Sequence, residues 1–233
     1  MKTKKWMIPL VIIVVLALAA ALYVSDYYRA GETAAACIED PAPIEVREFT
    51  RGLVFDGPGK EKALIFYPGA KVEYTAYAPL MKRLAEEGMD CFLVRMPLNL
   101  AVFAKNRASE IISENEYDNW YIGGHSLGGA VAALYAADND LDGLVLLAAY
   151  PTKEIDEPVL EVYGTCDGVL EMDKLEEGDQ YLPEKNMEVE IRGGNHAQFG
   201  DYGTQMGDGK AEISAEEQLE TTVEAIKEFF IED

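Results

Sequence analysis

Two hydrophobic patterns divide the chain. The first is an unbroken run of nineteen apolar residues from Trp6 to Val24, preceded by Lys2, Lys4 and Lys5. At about 1.5 Å per residue such a run nearly matches a hydrocarbon core of about 30 Å, so the pattern predicts a transmembrane helix over 6–24 behind a basic tip at 1–5. The lysines predict a cytoplasmic tip and an outward-facing remainder, which makes this a single-pass signal anchor in the cell membrane. The alternative is a cleaved signal peptide, with Ala19, Ala20 and Ala21 as the small residues before the cut and a secreted product. Residues 25–43 read as a linker, with Asp26, Tyr27, Tyr28 and Arg29 at the membrane interface.

From Ile44 onward the second pattern takes over, and the range 44–233 reads as one domain with no internal repeat. Short β-rich runs cover Ile44–Phe49 and Arg51–Phe55, with a turn at Asp56, Gly57, Pro58 and Gly59. Ala63–Tyr67 is continuously apolar, as a strand buried on both faces of a parallel sheet would be. Tyr77, Leu80, Met81 and Leu84 then recur at helical spacing, and Gly88 stands where a left-handed helix stop belongs. Further strands are predicted at Cys91–Arg95, Asn119–Ile122, Gly143–Ala148, Val159–Gly164 and Met187–Ile191, and helices at Arg107–Ser113 and after Gly129. The last helix opens with a reciprocal cap, Ser214 and Glu217, and carries Leu219, Val223, Ile226 and Phe230 as a stripe. Alternating β and α elements predict a doubly wound, mostly parallel α/β sheet.

At one of these strand-to-helix junctions lies Gly124-x-Ser126-x-Gly128. A chain that swings from strand to helix in so few residues leaves no room for larger side chains at the flanking positions, and it exposes the serine hydroxyl beside a helix N-terminus that favours negative charge. A serine hydroxyl needs a base, and the chain has only two histidines. His125 adjoins the serine and projects away from it on such a turn, so His196, in the loop after Met187–Ile191, is the candidate base. Asp167, just past Val159–Gly164, is the candidate partner for the imidazole, with Glu171 and Asp173 as rivals further from the strand end. For the oxyanion of a tetrahedral intermediate the candidate donors are the backbone N–H groups of Leu127 and of Ala70, with Lys71 second, in the tight bend after Ala63–Tyr67.

Composition narrows the partners. The 233 residues carry a net charge of −22, and setting aside the three N-terminal lysines leaves −25. Such a surface repels polyanions and argues against nucleic-acid binding; the serine site points to a small-molecule acyl substrate, and the N-terminal run makes the membrane the other expected contact. Cys37, Cys91 and Cys166 do not make a disulfide framework. No spacing suggests a metal site, and the chemistry calls for no metal or organic cofactor.

The serine turn, Phe66-Tyr67-Pro68-Gly69, Met96-Pro97-Leu98-Asn99-Leu100-Ala101 and the stretch Gly194 to Gly203 together resemble the α/β-hydrolase fold family, in a compact, lid-less bacterial branch similar to dienelactone hydrolases. The match runs from about Ile44 to the end. It implies a serine hydrolase that cleaves carboxylic esters or thioesters through Ser126, His196 and Asp167. Pro68 before Gly69 departs from the family's common histidine-glycine oxyanion loop. Two other functions fit the same residues: an acyltransferase that uses an acceptor other than water, and a non-catalytic, surface-anchored binding module. The apolar Met96, Pro97, Leu98, Leu100 and Phe103 are candidate lining for an acyl pocket, and the short connection Ala149–Pro158 predicts an open cleft.

Overall fold

A computed structural model describes residues 7–232. The basic tip and Trp6 lie outside the described residues. Met7–Ser25 forms a helix, α1, of 19 residues. Its rise of about 28 Å stops short of a hydrocarbon core of about 30 Å, and among the described residues no helix is long and apolar enough to cross a membrane. The transmembrane anchor, the membrane contact and the single-pass localisation expected from the apolar run are therefore withdrawn.

The stretch read as a linker carries a helix, α2 (Glu32–Glu39), that packs on the domain. Its sequence, rich in alanine, presents one buried side chain, Ala34, and is held through Asp201: Gly31 N–H donates to the Asp201 carbonyl O (2.7 Å) and Ala34 N–H to its carboxylate Oδ2 (2.8 Å).

Eight strands follow: β1 (Glu45–Phe49), β2 (Gly52–Asp56), β3 (Lys62–Tyr67), β4 (Met89–Val94), β5 (Asn119–His125), β6 (Gly143–Leu147), β7 (Val159–Gly164) and β8 (Asn186–Ile191). They form one sheet in the order β1-β2-β4-β3-β5-β6-β7-β8, antiparallel at β1-β2-β4 and parallel from β4 to β8. Helices α3 (Ala78–Glu86), α4 (Arg107–Glu114), α5 (Leu127–Ala136), α6 (Met172–Gly178) and α7 (Ala215–Ile226) connect or cover them. The doubly wound α/β expectation holds for this part of the chain.

The alternation of β3 shows why the sheet is buried on both sides. Leu64 and Phe66 enter a core shared with Leu80 and Leu84 of α3 and Ile226 of α7, while Ala63, Ile65 and Tyr67 enter another shared with Ile111 of α4 and Val131 of α5. Gly88 has φ +96°, the left-handed stop the sequence called for.

Register then fixes the upper rim. Tyr67 pairs with Gly124, His125 with Leu147, and Gly164 with Ile191. The loops after β3, β5, β7 and β8 thus leave the sheet on the same edge, where open α/β sheets hold their ligands.

Candidate active site

Ser126 stands between β5 and α5 with φ 53° and ψ −125°. For a residue with a Cβ that conformation costs on the order of 1–3 kcal/mol, and it persists because the neighbours over-determine it. Ser126 N–H donates to Leu147 O (2.9 Å), and Ser126 O accepts from Ala130 N–H (3.0 Å). The flanking glycines are required by contact: a Cβ on Gly124 would sit 2.6 Å from the Gly128 carbonyl carbon, and one on Gly128 would collide with the carbonyl oxygens of Tyr67 and Pro68. The serine is half-buried.

Asp167 and His196 meet across the ends of β7 and β8. His196 Nδ1 lies 2.8 Å from Asp167 Oδ2, and both side chains are almost wholly buried. A carboxylate at Nδ1 fixes the proton there and leaves Nε2 as a lone pair. His196 Nε2 is buried and has no hydrogen-bond partner. Asp167 is itself oriented, its Oδ1 accepting from the N–H groups of Val169 and Leu170, each at 2.8 Å. The rivals Glu171 and Asp173 make no bond to the imidazole.

Two loop-stitching residues went unread in the sequence. Asp208 gathers both loops: its Oδ1 accepts from Gly168 N–H (3.1 Å) and His196 N–H (3.2 Å), and its Oδ2 accepts from Ala197 N–H (2.8 Å). Gln218, fully buried on α7, accepts from Asn195 N–H (2.9 Å) and donates to Asn195 O (2.8 Å).

The ring of His125, the neighbour of Ser126, has its centroid 4.4 Å from that of His196, and no hydrogen bond joins the Ser126 hydroxyl to Nε2. His125 has the packing and hydrogen-bonding place expected of it. Its Nδ1 lies 2.8 Å from the Tyr77 hydroxyl, which also accepts from Gly69 N–H at 3.0 Å. With Tyr77 wholly buried, its proton is best placed on His125 Nδ1. Burial first, and the neighbouring His196 second, hold the His125 imidazole well below the usual histidine range, so it stays neutral.

Tyr77 thereby ties the loop after β3 to the residue before the serine. In that loop Lys71, at φ 58°, donates its N–H to Asn99 O (2.9 Å) and is not available as an oxyanion donor. The Ala70 N–H is unpaired among the described residues. Leu127 is the first residue of α5, where a helix N–H lacks an intrahelical acceptor. Of the expected acyl-pocket residues, Met96 is buried in the core, whereas Leu98 and Phe103 are 52% and 61% exposed, Leu98 next to the Asn99 carbonyl that holds this loop. A cavity of about 710 Å³ lies behind the His196 loop, between Leu80, Phe199 and Leu219, and Ser126 does not line it. All three cysteines are unpaired thiols.

An eight-stranded, mostly parallel sheet with these loops on one edge defines an α/β-hydrolase architecture. The sequence matches the model of the alpha/beta hydrolase family over residues 63–220, and the chain belongs to that family. Among solved structures it is similar to Est1E from Butyrivibrio proteoclasticus (15% identity over 79% of this chain and 98% of that one, TM-score 0.56). It is also similar to a dienelactone hydrolase from Anabaena variabilis (13%, 80% and 98%, TM-score 0.58) and to Thermogutta terrifontis esterase 2 phosphoramylated by tabun (14%, 81% and 96%, TM-score 0.55). At these identities the likeness is one of fold. No curated protein matches the chain.

Proposed function

We propose that residues 44–233, with α2 docked on them, form a serine hydrolase that cleaves carboxylic esters or thioesters. The observation that carries this reading is the buried His196–Asp167 pair at 2.8 Å with Nε2 unpartnered, on the same sheet edge as a serine in a strained strand-to-helix turn. Family membership, and the hydrolases and esterases among the structural relatives, support it.

The chemistry follows from the residue types. His196 Nε2 takes the Ser126 proton as the hydroxyl attacks the acyl carbon, and Asp167 stabilises the imidazolium that results. The N–H groups of Leu127 and Ala70 hold the oxyanion, each donor contributing about 3 kcal/mol of transition-state stabilisation. The imidazolium returns its proton to the leaving alcohol or thiol, and the same base then activates water against the acyl-enzyme. Hydrogen bonds of this kind are often loose in an unliganded enzyme and tighten with substrate, so the missing Ser126–His196 bond is compatible with the mechanism.

The connection between β6 and β7 contains no helix, and Leu98, beside the Asn99 carbonyl bonded to Lys71, offers exposed apolar surface near the Ala70 loop, which favours a small acyl group bound in an open cleft. Ser126→Ala should abolish turnover of a short-chain aryl ester while the domain stays folded. Undiminished turnover in that variant would remove the assignment.

A further inference from the structure

Away from this rim, three carboxylates converge on the opposite side of the β7–β8 pair from α7. Glu161 of β7 and Glu188 of β8 are direct register partners. Asp179, in the turn that follows α6, joins them, and one oxygen from each residue lies within 4.8 Å of the other two. Like charges directly opposite on paired strands are destabilising, and a third makes the arrangement worse.

Glu161 makes this more than an acidic surface. It is 2% exposed, and its Oε1 is buried with no hydrogen-bond partner. Burial first, and then the negative charges of Asp179 and Glu188, push its carboxyl up to about 8. The Tyr163 hydroxyl donates to Glu188 Oε1 (2.8 Å) and fixes that carboxylate without reaching Glu161. A desolvated carboxylate grouped with two others, and with no donor of its own, is chemically suited to ligate a cation.

We propose that Glu161, Asp179 and Glu188 hold a hard divalent cation of the calcium type. The donors are all carboxylate oxygens, which excludes the soft, thiolate-seeking metals. Oxygens on opposite sides of a calcium ion lie roughly 4.6–5.2 Å apart, and the cluster fits within that span. Asp179 and Glu188 are exposed, so water completes the shell. The ion pins the α6 segment to the outer edge of the sheet, and it plays no part in the Ser126 chemistry. The inference stands on this cluster alone and is independent of the hydrolase reading.

The test is thermal unfolding of the full chain, freed of metal with EDTA and then scanned at pH 7 with excess EDTA, CaCl2 or MgCl2. A cation at a hundredfold excess over its Kd raises the folded-to-unfolded ratio about a hundredfold, or roughly 5 °C or more in Tm for a chain of this size. The wild type should show such a rise with calcium. Glu161→Gln, which keeps the shape and removes the group that would ionise to bind the cation, should lose the rise and unfold in EDTA no earlier than the wild type. Asp179→Asn, at an exposed position, should diminish it and serves if Glu161→Gln does not fold. A wild-type Tm that is the same in calcium, magnesium and EDTA overturns the proposal, as does a full calcium response in Glu161→Gln or in Asp179→Asn.

Discussion

Replacing Tyr77 by Phe removes one oxygen and little else. The ring keeps its packing, with Phe66 at 5.1 Å and Tyr202 at 6.4 Å between centroids. What is lost are two buried hydrogen bonds, from Gly69 N–H at 3.0 Å and to His125 Nδ1 at 2.8 Å. Each orphaned group, wholly shut off from water, costs about 1–3 kcal/mol, so Tyr77→Phe should destabilise the domain by about 2–6 kcal/mol. At roughly 2–4 °C per kcal/mol that is a fall in Tm of about 4–24 °C, readable by circular dichroism. Gly69 precedes Ala70, the proposed oxyanion donor, so the same change should loosen that loop. With an aryl ester, kcat should fall about tenfold or more while KM changes little, since the donor acts chiefly in the transition state. A variant with the wild-type Tm and kcat would refute the idea that Tyr77 couples this loop to the serine turn.

Two further outcomes follow from the site. Asp167→Asn keeps an acceptor for the Val169 and Leu170 N–H groups and should stay folded, yet it no longer fixes the His196 tautomer; kcat should drop by about 10⁴-fold, and steady-state kinetics showing less than a tenfold loss would count against that role. His125 is held well below its ordinary value near 6.5, so below that pH the unfolded chain takes up a proton that the folded chain refuses, and stability is lost as pH falls. The slope from this group is up to about 1.4 kcal/mol per pH unit, and urea unfolding between pH 7.5 and 5.5 should show a shallower fall in His125→Asn than in the wild type; coincident slopes would place the acid sensitivity elsewhere.

Much of the fold was written in short-range pattern. The alternation of β3, the breaker-free stretch after Gly129 and the stop at Gly88 each follow from one local rule. The elements that escaped have thin signals: α6 buries Leu175 and its closing glycine alone, and α2 only Ala34, so neither shows a stripe. The N-terminal run failed in another way, because apolar composition alone does not establish a helix long enough to cross a bilayer. In the site, scarcity singled out His196 and position singled out Asp167, and the two are in contact. Asp208 and Gln218 were illegible because their partners are backbone N–H and C=O groups of other loops, which leave no trace in residue type. Lys71 lost its candidacy to a bond with Asn99 O that only the folded register creates.

The central claim is that Ser126 is a nucleophile activated by His196. Treating the intact chain with a fluorophosphonate probe and mapping the adduct by peptide mass spectrometry tests it most directly. A single adduct on Ser126, lost in Ser126→Ala and greatly slowed in His196→Ala, is the expected result. A wild-type chain that stays unlabelled at Ser126, or one labelled equally fast without the imidazole, would contradict the account.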